Sequence, residues 1–110
     1  MPTRCKPRDL TADDLVLSHF TLARHHDLTE RVEAAAAAGC RAIGLYIRDH
    51  IRLGDAGTGP DQIAELLDAH GLGLAEIEAL RGWGDPAVAT GDGYRTFEAE
   101  AFAMADAYEA

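Results

Sequence analysis

The sequence predicts an α/β fold in which parallel strands alternate with helices. Three observations carry this expectation. Short apolar runs suited to strands begin near residues 15, 41 and 72. Each is followed by a stretch with helical apolar spacing. The strand starts lie roughly 30 residues apart, the length of a βαβ unit, which joins parallel strands by right-handed crossovers.

Residues 1–13 are polar, contain Pro2 and Pro7, and read as a loose N-terminal arm. The first strand falls at 15–20 (LVLSHF), followed by a loop bearing His25 and His26. Asp27 caps the next helix, and Glu30 completes a capping-box spacing. That helix runs through RVEAAAAA and stops at Gly39, because glycine accepts the left-handed conformation of a helix end. Val32, Ala35 and Ala36 give it a small apolar face that can lie close to a sheet. The alanine run is strong helix former, not low-complexity disorder.

Residues 41–47 (RAIGLYI) form the second strand, with Ile43, Leu45 and Ile47 on one face and Ala42, Gly44 and Tyr46 on the other. Apolar or small residues on both faces indicate a strand covered on both sides. A loop is expected over 48–59 (RDHIRLGDAGTG). Pro60 then suits the first helical position, where its missing N–H costs nothing. Ile63, Leu66 and Leu67 make an apolar stripe, and Gly71 ends the helix. The third strand is placed at 72–79 (LGLAEIEA). A loop over 80–93 leads to a last helix at 94–108, whose apolar face is Phe97, Ala101, Met104 and Tyr108. Short αβ turns and longer βα loops put the polar residues at the C-terminal ends of the strands, where parallel α/β folds keep their sites.

Composition narrows the function classes. The chain has 110 residues, with ten Lys and Arg against nineteen Asp and Glu, a formal charge of -9. That field repels phosphate backbones and anionic lipid, so neither nucleic acid nor a membrane surface is an expected partner. No run approaches the roughly 20 apolar residues of a membrane span, and no secretory signal opens the chain. A cytoplasmic location is expected. Cys5 and Cys40 read as free thiols. The glycines of LGDAGTG match no phosphate-binding spacing, and there is no GxSxG.

With these elements placed, the stretches LSHFTL, DLTERVEAAAAAGCRAIGLYIRDH and LLDAHGLGLAEIEALRGW resemble the xylose-isomerase-like TIM-barrel superfamily. The similarity is to its sugar phosphate isomerase/epimerase branch, which includes inosose dehydratase-like proteins, and it covers residues 15–110. The resemblance implies that residues 14–110 are the first three βα units of a (β/α)8 TIM barrel. Eight such units need about 250 residues, so the chain is expected to be an N-terminal portion, inactive in isolation. The resemblance also implies an isomerase or epimerase acting on a sugar or sugar phosphate, or a dehydratase acting on a cyclitol. A divalent ion (Mn, Mg, Zn or Co) would be held by Glu, Asp and His of later strands, and no metal ligand is assigned here.

Four residues are candidates for contact with a sugar or cyclitol. His19 ends the first strand. Arg48 follows the second and could hold an anion in a bidentate fork. Glu78 lies near the mouth end of the third strand, on the same parity as the weaker candidate Glu76. Trp83, in ALRGWGD, could wall a sugar pocket. No residue is assigned a catalytic role. His25 and His26 are adjacent and do not converge readily on one ion. The competing expectations are a non-catalytic α/β interaction module and a small-molecule-binding domain, with self-association through the open sheet.

Overall fold

The structure, a computed structural model, describes residues 4–22 and 25–110. Three parallel strands, β1 (Val16–Leu17), β2 (Ala42–Tyr46) and β3 (Gly73–Glu78), lie in the order β1-β2-β3. The helices are α1 (His19–Leu22), α2 (Leu28–Ala37), α3 (Ile47–Asp55), α4 (Pro60–His70), α5 (Pro86–Ala89) and α6 (Asp92–Tyr108). Because sequential strands stay neighbours and parallel crossovers keep one hand, the connecting helices fall on one side of the sheet. There Val32, Ile63, Leu67 and Met104 pack against Ile43, Leu45 and Leu74, all nearly or fully buried. Among the described residues no helix is long and apolar enough to cross a membrane.

The helix punctuation follows the sequence closely. The Asp27 carboxylate accepts from the Glu30 N–H at 2.8 Å, and the Glu30 carboxylate accepts from the Asp27 N–H at 3.3 Å. Gly39 ends α2 at φ +82° and Gly71 ends α4 at φ +68°. Pro60 opens α4, whose buried stripe is Ile63 and Leu67.

Three expectations are corrected. The first strand is only two residues long, since Ser18 leaves the ladder and His19–Leu22 turns into a helix. The loop expected over 48–59 is instead mostly helix, starting directly from β2 at Ile47. Ile47, His50 and Ile51 recur at i, i+3 and i+4, a stripe partly hidden in a run of charged residues. The described part of the expected loose arm is packed. Residues Pro7–Asp9 form a 3-10 turn, Cys5 is buried, and the Arg4 guanidinium pairs with Asp68 of α4 at 3.0 Å. Residues 1–3 lie outside the described residues.

One irregularity decides which side chains face which layer. Ala42 pairs with Gly73 and Ile43 with Leu74, but Gly44 pairs with Glu76, so Ala75 is an extra residue in β3. This β-bulge shifts the alternation by one. Beyond it Ile77 pairs with Leu45 and packs against the core, while Glu76 and Glu78 share the opposite face with Gly44 and Tyr46.

Candidate functional site

The face of the sheet turned away from the long helices collects polar side chains at the C-terminal ends of all three strands. Ser18 follows β1, Tyr46 ends β2, and Glu78 ends β3. The Ser18 hydroxyl donates to Glu78 Oε1 at 3.4 Å, while Glu78 Oε2 is buried with no partner among the described residues. Gly44 makes room between the strands: a Cβ placed there would lie 3.2 Å from Glu76 Cβ and 3.3 Å from the His19 backbone nitrogen.

Burial pushes the Glu78 carboxyl above its ordinary value, and the Glu76 carboxylate beside it pushes in the same direction. The Ser18 hydrogen bond opposes this only in part. Folding therefore raises the cost of ionising Glu78. Below the ordinary value of 4.5 both folded and unfolded chains hold that proton, and the group is neutral toward stability. As pH rises through the raised folded value, stability is lost. Glu78→Gln is expected to abolish that loss, so its denaturation midpoint should fall less than that of the unsubstituted protein between mildly acid and neutral pH. Parallel midpoint-against-pH curves for the two proteins would contradict the assignment.

His19 starts α1 beside this cluster and is buried. Its ring meets Phe20 and Tyr46 edge-on at 5.0 Å and 5.7 Å between centroids. Nδ1 accepts two hydrogen bonds, from Arg31 Nη1 at 2.9 Å and from the Tyr46 backbone N–H at 3.1 Å. Arg31, buried in α2, also donates through Nη2 to Asp49 of α3 at 3.0 Å. Burial alone would raise the Asp49 carboxyl, but hydrogen bonds from Arg52 and Arg31 outweigh it and hold the group below its usual range.

Of the four sequence candidates, His19 and Glu78 reach this cluster. Arg48 turns elsewhere, with its guanidinium 5.5 Å from the centre of the Phe97 ring of α6. Trp83 stands 74% exposed in the loop after β3. The sequence reading missed Ser18, Tyr46, Arg31 and Asp49. Ser18 and Tyr46 carried a signal, since both stand at a strand end. The Arg31–Asp49 pair carried none, because its geometry depends on how α2 and α3 cross.

A separate cleft of about 220 Å³ lies among α2, α3 and α4, lined by Leu28, Leu53, Ile63 and Leu66 with Asp27, Thr29, Thr58 and Gln62. It shares no residue with the strand-end cluster. His26 Nδ1 lies 3.4 Å from Glu30 Oε2. Among the described residues no three His, Cys, Asp or Glu side chains converge as an ion would require. The cluster thus offers two carboxyls and an imidazole that can bind and orient oxygen atoms, without the Glu, Asp and His set that the resemblance implies. No protein-family model matches the chain, and a comparison with curated proteins finds no match.

Proposed function

We propose that residues 14–110 form the first three βα units of a (β/α)8 barrel, and that the whole protein isomerises or epimerises a sugar or sugar phosphate, the alternative being dehydration of a cyclitol. The observation that carries this reading is the gathering of Ser18, His19, Glu76 and Glu78 at the C-terminal strand ends, on the face opposite the helix layer. In a closed barrel that face becomes the interior and those ends become the mouth. Carboxyls and hydroxyls at a barrel mouth suit the vicinal hydroxyls of a polyol, and Glu78 would bind one of them. A divalent ion, held by strands other than these three, belongs to the same reading through the sequence resemblance.

The test is a deuterium-exchange assay on the natural gene product, whose intact mass also reports whether further βα units accompany these three. The protein is incubated in D2O with Mn, Mg, Co or Zn and a panel of ketoses, aldoses and inosose-type cyclitols. Ion-dependent exchange at the carbon next to the carbonyl is expected for one of them. Glu78→Gln should lower kcat/KM about tenfold, the loss of one hydrogen bond of roughly 1.4 kcal/mol. If no sugar or cyclitol exchanges with any ion, the reading fails.

A further inference from the structure

We propose that Arg31 and Asp49 are positioning residues that fix the His19 proton on Nε2, so that His19 serves the strand-end site as a hydrogen-bond donor to a ligand oxygen and not as a base. The first half follows from donor and acceptor chemistry. A backbone N–H can only donate, and so can a guanidinium. Both Tyr46 N–H and Arg31 Nη1 point at Nδ1, at 3.1 Å and 2.9 Å. Nδ1 therefore carries a lone pair, and the ring proton resides on Nε2. A second proton would have to enter Nδ1 against two N–H groups already directed at it.

The surrounding charges act the same way. Burial disfavours the charged ring most, and the Arg31 cation adds to it; Asp49 opposes and Arg52 reinforces. The titratable and charged groups around the ring are thus Arg31 from α2, Asp49 and Arg52 from α3, and Tyr46 from β2. Glu76 of β3 approaches the His19 backbone across Gly44. Arg31 can be a buried cation because Asp49 accepts its Nη2 hydrogen bond and the Asp27 carbonyl accepts from its Nε at 3.3 Å. Asp49 is in turn held by Arg52. The arrangement runs from a carboxylate through a guanidinium to one nitrogen of an imidazole, and leaves the other nitrogen with the proton.

The second half, donation to a ligand, rests on the proposed function. A ligand met by Nε2–H presents an acceptor oxygen: a carbonyl, a hydroxyl or a carboxylate. A base for carbon-bound protons must then come from another side chain.

The experiment is long-range proton–nitrogen NMR on the full chain with 15N-labelled histidine, at about pH 6.5, where an ordinary histidine is half protonated. His19 is expected to show one protonated nitrogen, Nε2, and no charged form. A ring protonated on Nδ1, or charged at that pH, overturns the inference. Arg31→Met should raise the pH at which His19 becomes charged, because the repelling cation is gone and Asp49 remains. Asp49→Asn should move it in the opposite direction, and this variant carries the test if Arg31→Met does not fold. A midpoint unchanged in the folded variants removes the positioning role. Inositol and glycolate are then added as hydroxyl and carboxylate probes, with a shift of the Nε2 signal expected for one of them. If the tautomer is as stated and neither probe moves the signal, the ligand half of the inference falls. Such a result leaves the exchange assay to decide the sugar reading by itself.

Discussion

Replacing Gly73 with alanine is expected to lower the unfolding free energy by about 2–3 kcal/mol, the upper range for forcing one carbon into a filled space. A Cβ on Gly73 would lie 1.6 Å from the Cys5 carbonyl oxygen and 2.8 Å from its carbonyl carbon. Both are backbone atoms, so no side-chain rotation relieves the clash. Either β3 moves out of register with Ala42, or the N-terminal segment lifts away. Lifting exposes Cys5, frees Arg4 from Asp68, and removes the Arg4 hydrogen bond to the Ala107 carbonyl. Chemical denaturation gives the free energy. Deleting residues 1–5 in the same background separates the two responses. If the clash is with Cys5, Gly73→Ala costs almost nothing in the deleted chain, and the two changes are strongly non-additive. Simple additivity would show that the segment does not seat on Gly73.

His50→Leu is expected to cost about 2 kcal/mol, because it strands a fully buried hydroxyl. Tyr108, with no exposed surface, brings its phenol oxygen to 2.6 Å from His50 Nε2, while His50 Nδ1 lies 2.6 Å from Glu100 Oε1. A carboxylate can only accept, so Nδ1 carries the proton in the neutral ring and Nε2 accepts from the phenol. Burial pushes the Tyr108 phenol far above its usual range, and the nearby Glu100 carboxylate adds to this, so the hydroxyl stays protonated and a donor. Tyr108→Phe should cost somewhat less, about 1–2 kcal/mol, since the stranded Nε2 loses one partner. Combining the two removes both sides of the bond. The double variant should be more stable than the two single losses predict, by about 1 kcal/mol. If the losses simply add, the His50–Tyr108 bond contributes nothing, and α6 is held to α3 by packing and the His50–Glu100 contact.

How far the sequence could be read depended on the range of the physics involved. Capping and termination are local, and Asp27, Gly39, Pro60 and Gly71 stand where their neighbours alone would put them. The stripe of Phe97, Ala101, Met104 and Tyr108 also belongs to one helix, and the structure buries Met104 and Tyr108 fully. The helix α3 was obscured because three of its first six residues are charged. Its apolar stripe emerges only once Ile47 is taken from the strand and counted with His50 and Ile51. The packed N-terminal segment was not legible, because a polar run holding two prolines gives no sign that Cys5 will rest on a glycine far along the chain. The site shows the same division. Glu78 was evident as a carboxyl in an apolar strand, whereas the orientation of Arg48 over Phe97 depends on a helix that local patterning had missed.

The extra residue at Ala75 can be thought of as a change of phase within one strand. Up to Leu74, even-numbered residues of β3 lie on the layer that packs against helices; from Glu76 onward they lie on the opposite one. Removing Ala75 would leave both glutamates opposite Gly44 and Tyr46, whereas pairing Ala75 as an ordinary ladder residue would bring them under the helices and turn Ile77 outward. The half of β3 that supports the fold and the half that supplies the carboxyls are therefore written in different phases. Substitutions can be tolerated separately in each half, whereas losing the bulge with Ala75 retained in the ladder would exchange the faces of the second half.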